Sequence, residues 1–276
     1  LLRDGRDIQR LAVRRACGGT QPGGPRAMSL ADMILIIVSF IAGAQNALAG
    51  GGSFLTFPAL LYAGLDPRAA NITSTIALFP GQITTGLTGR SLLSGAVGLS
   101  ILQLIVLSLA GGVVGAVLLL LTPVSVFTHL VPFLVLFATA VFAWGSFFRK
   151  ARAANAPPRI SPRMAGILQF LIAIYGGYFG GGIGILMLAA LTAAGLAVRH
   201  AGATKNLLAG AMNASAVVIF IARAHIDWHA VLYVAISAIA GGQLGVFLLR
   251  RINESVLRIA ITGIGIALTI ALFIRS

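Results

Sequence analysis

Apolar residues fill most of this chain in ten runs, near residues 30–48, 53–63, 70–89, 96–121, 126–148, 164–178, 183–198, 206–222, 230–249 and 256–274. A helix rises ~1.5 Å per residue, so about 20 residues cross the ~30 Å hydrocarbon core of a bilayer. Runs of this length and polarity predict an all-α polytopic membrane protein. The pattern breaks twice in the same way. Gly50-Gly51-Gly52 interrupts one apolar run, and the polar cluster Asn71-Ile72-Thr73-Ser74-Thr75 follows in apolar surroundings. Gly180-Gly181-Gly182 interrupts another, and Thr204-Lys205-Asn206 follows at nearly the same distance.

One connection is long and charged: Arg149 to Arg163, with Lys150, Arg152 and Arg159 inside it and Pro157-Pro158 between them. It divides the chain into a first membrane repeat (28–148), a linker (149–163) and a second repeat (164–276), each with about four hydrophobic segments. The two triplets are offset by 130 residues, and so are Gly111-x-x-x-Gly115 and Gly241-x-x-x-Gly245. Thr73 and Thr204 are offset by 131, which requires one small insertion. Two motifs in the same order at one offset indicate an internal duplication. The paired glycines have a simpler role, since small residues four apart let membrane helices approach closely. Residues 1–27 hold six arginines and no long apolar run. They are read as a disordered or non-native extension before Met28, too weakly apolar for a secretory signal.

Residues 30–63 would form a helix of roughly 50 Å, too long for one ordinary crossing. Two arrangements follow. Each glycine break either lies within a tilted crossing, giving eight spans and parallel repeats, or turns the chain back as a re-entrant hairpin. The second leaves three full crossings per half, and an odd number makes the repeats inverted. With the linker in the cytoplasm, the inverted arrangement leaves only Arg68, Arg223 and Arg275 outside. The eight-span arrangement puts Arg68, Arg199, Lys205, Arg250, Arg251 and Arg258 there. Basic residues favour the cytoplasmic side, so the inverted arrangement is preferred and the other stays open.

Composition supports this class. Only 9% of the 276 residues are charged, against about 25% in a soluble domain. The formal charge of +14 sits at segment ends, in loops and in the first residues, which points to membrane orientation and away from nucleic acid. One cysteine, Cys17, and four dispersed histidines offer no intrachain disulfide and no metal site. No nucleotide-binding motif or nucleophilic triad is present, so the chain reads as a non-enzyme without a cofactor. No feature fixes an oligomeric state, and a homo-oligomer stays open.

The chemistry gathers at the breaks. A broken helix frees backbone N–H groups and presents a positive dipole end, which suits an anion. Such backbone is tolerated at membrane depth only inside protein or beside a wet cavity. The expected site comprises Asn46, Gly50, Gly51, Gly52, Asn71, Thr73, Ser74 and Gln82 from the first half. Gly180, Gly181, Gly182, Thr204, Lys205, Asn206 and Asn213 come from the second. Amide and hydroxyl donors around two half-helix ends suit a small tetrahedral or pyramidal oxyanion. Lys205 is either a fixed cation for that anion or a lysine snorkelling from a helix end. From Met28 onward the only acids are Asp32, Asp66, Asp227 and Glu254, all near segment ends or in loops. A carboxylate proton relay or sodium site therefore has no residues to build it.

The stretch GAQNALAGGGSFLTFPALLYAGLDPRAANITST resembles the first block of the TauE/SafE family of sulfite exporters, also called the 4-toluene sulfonate uptake permease family. The matching features are Gly50–Gly52, Pro58, the turn Gly64-Leu65-Asp66-Pro67-Arg68-Ala69-Ala70 and Thr73-Ser74. Gly180–Gly182, Gly195, Ala201, Thr204 and the run Ile226–Ala230 resemble its second half. Leu188 stands where a proline is common, and Lys205-Asn206 where small residues are frequent. The resemblance implies a multi-pass carrier of the bacterial inner membrane that exports sulfite or an organosulfonate by alternating access. Two rivals stay open: an uptake permease for another organic anion, and a membrane assembly or scaffold protein that transports nothing. Only a carrier needs both triplets to face one cavity.

Overall fold

The computed structural model describes residues 29–48, 51–88, 90–148, 157–245 and 254–275. Residues 1–28 and Gly50 lie outside them, as do most of the central linker and residues 246–253. The described chain is all α, with a single two-residue bridge, Ala96 to Leu99, in place of any strand. Five helices precede the linker: α1 (Leu30–Leu48), α2 (Ser53–Tyr62), α3 (Pro67–Thr88), α4 (Ile101–Leu121) and α5 (Val124–Ala143). Five follow it: α6 (Pro162–Tyr178), α7 (Ile183–Ala193), α8 (Val198–Arg223), α9 (Trp228–Ala240) and α10 (Glu254–Arg275). One π turn extends α5 over Trp144–Phe148, and another extends α9 over Gly241–Gly245. Among the described residues, three helices are long and apolar enough to cross a membrane: Ile101–Leu121, Val124–Phe148 and Val198–Arg223.

Glycine makes both breaks. Gly51 has φ +88°, and Gly180 and Gly182 have φ +80° and +73°, values that cost a residue with a Cβ but not glycine. The short helices α2 and α7 then end alike. Gly64 N donates to Leu61 O and Leu65 N to Leu60 O; Gly195 N donates to Thr192 O and Leu196 N to Leu191 O. Gly64 and Gly195 have φ +96° and +95°. This is the Schellman turn, in which a left-handed glycine satisfies the last carbonyls of a helix. It delivers the chain into α3 and α8. Arg159 N donates to Ala193 O at 2.8 Å, so the chain entering α6 lies beside the chain leaving α7. The pair α6–α7 is a hairpin, not one long rod.

Helix contacts depend on small residues. Along α4 and α6 the partners advance together. Gly166 faces Leu99 and Leu107, Gln169 Nε2 donates to Ser108 Oγ at 2.8 Å, and Tyr178 Oη donates to Thr122 Oγ1 at 3.4 Å. The two helices therefore run in the same direction. Between those points Gly111 meets the Phe170 carbonyl and Gly115 the Ile174 carbonyl. The same joint recurs between α1 and α9, where Gly241 meets the Phe40 carbonyl and Gly43 the Ala238 carbonyl. Lipid tails give no hydrophobic push between helices, so close backbone packing must supply the attraction. The helix faces turned outward carry exposed Leu102, Val106, Phe133, Phe137, Val218 and Ile236. The inner faces bury Leu60, Leu119, Phe127 and Phe220 completely. Helix α3 packs against α8, and α5 against α10.

Candidate functional site

A cavity of about 40 Å³ lies where both breaks meet α3 and α8. On the usual measure that is room for about three waters, or for one small oxyanion. From α3 the lining residues are Ser74, Thr75, Leu78 and Gln82; from α8 they are Lys205, Asn206, Ala209 and Asn213. The spacing i, i+1, i+4, i+8 selects one helix face. The second set repeats the first at a constant offset of 131. Asn213 Nδ2 donates to Gln82 Oε1, joining the fourth pair across the cavity. The first break contributes Asn46, Gly51 and Ser53, and the second Phe179, Gly180, Ile183 and Gly184.

Short helices begin at both breaks. Neither Gly52 before α2 nor Gly182 before α7 provides a side-chain cap. The first amides of each helix thus lack a side-chain acceptor, apart from Gly52 N, which reaches Asn46 Oδ1 at 3.4 Å. Two positive dipole ends border the cavity. Lys205 adds a full charge. It is 5% exposed, and none of the described residues gives it a hydrogen bond or ion pair. No described aspartate or glutamate lines the cavity, and the described residues hold no cluster able to bind a metal. At the position equivalent to Lys205, Ser74 instead shares a 2.6 Å hydrogen bond with Thr56 Oγ1.

The residues expected from sequence divide into two groups. Asn46, Gly51, Ser74, Gln82, Gly180, Lys205, Asn206 and Asn213 line the cavity. Gly52, Thr73, Gly182 and Thr204 are not among its lining residues, and Gly50 falls outside the described residues. Asn71 donates to Tyr178 O at 2.9 Å and, with Gly181, lines a smaller apolar cavity of about 10 Å³ that shares Ser53 and Phe179 with the main one. Thr204 is fully buried against the loop between α3 and α4: Ser94 N donates to its Oγ1, which donates to Ser94 O, both at 3.2 Å. His200 Nδ1 lies 2.9 Å from Leu92 O in the same strap. Ser53, Thr75 and Phe179 were outside the expected set; for the two hydroxyls the signal was polarity beside a break or a cluster. Two further groups stand near the breaks. Gln45 and Tyr175, offset by 130, each lie five residues before a triplet, and both keep buried polar atoms without a partner among the described residues.

Comparison with known proteins agrees with this architecture. The family described as "Sulfite exporter TauE/SafE" matches residues 35–272. A "Probable membrane transporter protein" of Haemophilus influenzae is 28% identical over 228 residues, covering 82% of this chain and 88% of the relative. "Probable membrane transporter protein ORF9" of Sinorhizobium sp is 31% identical over 216 residues, covering 76% and 80%. "Probable membrane transporter protein YfcA" of Escherichia coli is 28% identical over 219 residues, covering 77% and 78%.

Proposed function

The chain belongs to the sulfite exporter TauE/SafE family, and on that footing we propose that it exports a small sulfur oxyanion such as sulfite by alternating access between two inverted repeats. One observation carries this reading. Two glycine breaks and two equivalent polar helix faces converge on one cavity lined by a lysine and, among the described residues, by no carboxylate. A scaffold protein has no use for an unpaired buried lysine, which costs ~2.5–3.5 kcal/mol or more in a membrane helix. An anion bound beside it would offset that cost.

Helix directions support the inverted arrangement. The loop leaving α3 touches the first turns of α8 through Ser94–Thr204 and Leu92–His200. In parallel repeats the end of α3 and the start of α8 would lie on opposite membrane faces. The Arg159–Ala193 contact brings both ends of the α6–α7 hairpin to one face, as a re-entrant segment requires. That face also collects Arg90, Arg163 and Arg199, and the positive-inside rule makes it cytoplasmic. The matched joints Gly111–Phe170 and Gly241–Phe40 fit two halves related by a pseudo-twofold axis.

The test is sulfite efflux from proteoliposomes containing the purified full chain. Efflux should exceed that of protein-free vesicles and speed up when the interior is made negative, since each charge gains ~2.3 kcal/mol per 100 mV. Sulfite flux equal to that of protein-free vesicles would overturn the proposal. The strap gives a second prediction. With Cys17 replaced by serine, cysteines at 94 and 204 should cross-link under oxidation, hold the cytoplasmic side shut and stop flux until a reductant is added. Full flux in the cross-linked protein would show that the strap does not gate the cavity.

A further inference from the structure

We propose that the substrate occupies this site as a singly charged oxyanion that keeps a hydroxyl proton, hydrogensulfite in place of the sulfite dianion. The inference rests on the transport reading above and concerns the charge of what is carried.

The argument begins with the unequal halves. The cavity is lined by equivalent positions of α3 and α8, yet only one of the two carries a charge: Lys205 on α8 faces its counterpart Ser74, whose hydroxyl is bonded to Thr56. The elements packed on α8 bring no second charge to the cavity. On α3 the titratable group is Arg68, which donates to Thr122 O away from the site. The short 3₁₀ turn before α4 carries Arg90, and α6 carries Arg163, Tyr175 and Tyr178. Helices α4 and α7 have no titratable residue. On α8 itself Arg199, His200 and Arg223 are exposed. None of these side chains lines the cavity.

Charge stoichiometry then selects the ligand. A monoanion against Lys205 makes a neutral buried pair. A dianion leaves one charge uncompensated in a low-dielectric space, which is strongly unfavourable. The two helix starts supply only partial charges that fade within their first turn. The lining residues can accept as well as donate: the amides of Asn46, Asn206 and Asn213 and the hydroxyls of Ser53 and Thr75 each carry an accepting oxygen, that of Asn46 already taking the Gly52 N–H. A fully deprotonated oxyanion can only accept hydrogen bonds. An oxyanion with one hydroxyl can donate to one of these oxygens while its other oxygens face Lys205 and the helix starts. Each turnover would then move one sulfur, one proton and one negative charge outward, the proton staying on its oxygen.

The experiment measures charge and sulfur together in proteoliposomes containing the full chain, with labelled sulfite as the probe. One elementary charge per sulfur is expected. Methanesulfonate and sulfate serve as competitors because they share a tetrahedral shape and differ in charge. Methanesulfonate should compete at least about tenfold better, the discrimination that even a fraction of the cost of an unpaired buried charge produces. At fixed total sulfite, flux should rise as pH falls through neutrality and the hydrogensulfite fraction grows. Two charges per sulfur, or sulfate competing as well as methanesulfonate, would overturn this inference and leave sulfite transport standing. No sulfite flux at all would remove both.

Discussion

Replacing Lys205 by glutamine is expected to cut sulfite flux about a hundredfold while the protein still folds and inserts. The size follows from the site's single charge. Removing one partner of a buried ion pair costs ~3–5 kcal/mol, and each ~1.4 kcal/mol is a factor of ten in affinity. Folding should not suffer. Lys205 is 5% exposed and makes no bond with another described residue, so the empty protein bears a desolvation cost that glutamine removes. Thermal melting in detergent should show the variant to be at least as stable as the parent. Flux in proteoliposomes should fall, with Lys205→Arg retaining more of it than glutamine does. A glutamine variant with parental flux would show that the cavity recognises its ligand through amides and helix ends alone. The opposite pattern, parental flux per folded molecule with lowered melting, would assign Lys205 a structural role.

Much of the fold was legible because membrane helices are written in long apolar runs and their interruptions in glycine. The spacing of Gly111 and Gly115, and of Gly241 and Gly245, announced close helix packing, and Gly111, Gly115 and Gly241 meet backbone atoms of a neighbouring helix. Which polar residue faces the cavity was less legible. Thr204 and Lys205 are adjacent, and one step along a helix turns a side chain by ~100°. No pattern within α8 decides which of the two faces inward; the strap at Ser94 claims Thr204, and the cavity receives Lys205. The equivalence of Ser74 and Lys205, by contrast, follows from the offset of 131 already visible at Thr73 and Thr204. The glycine motifs set the offset at 130, whereas the cavity-lining pairs of α3 and α8 keep 131. The extra residue lies between the triplets and the turns at Gly64 and Gly195, which already show the larger offset. Backbone conformation at the breaks could not be read. Gly182 has φ +73° while Gly52, at the matching position, has φ −55°. The two breaks therefore differ in shape despite identical sequence.

Gly115→Ala should lose both stability and transport, although it adds one methyl group far from any charge. A Cβ at Gly115 would overlap the Ile174 carbonyl and crowd Tyr178 N and the Gly177 carbonyl carbon, all backbone atoms of α6 that no rotamer change can move aside. Overpacking of this kind costs ~1–3 kcal/mol, occasionally more, and α4 can relieve it only by moving away from α6. Helix α6 ends at Tyr178 and leads directly to Phe179 and Gly180, which line the cavity. Displacing the helix would therefore misplace the second break. The control is Gly202→Ala on α8, where a Cβ would meet nothing within 4 Å. There the helix propensity of alanine exceeds that of glycine by up to ~1 kcal/mol, so melting should stay level or rise and flux should persist. Both variants are read by thermal melting in detergent and by sulfite efflux. Equal behaviour of the two would mean that the α4–α6 joint yields to a methyl group, and that the cavity is not held in shape by the close approach of these helices.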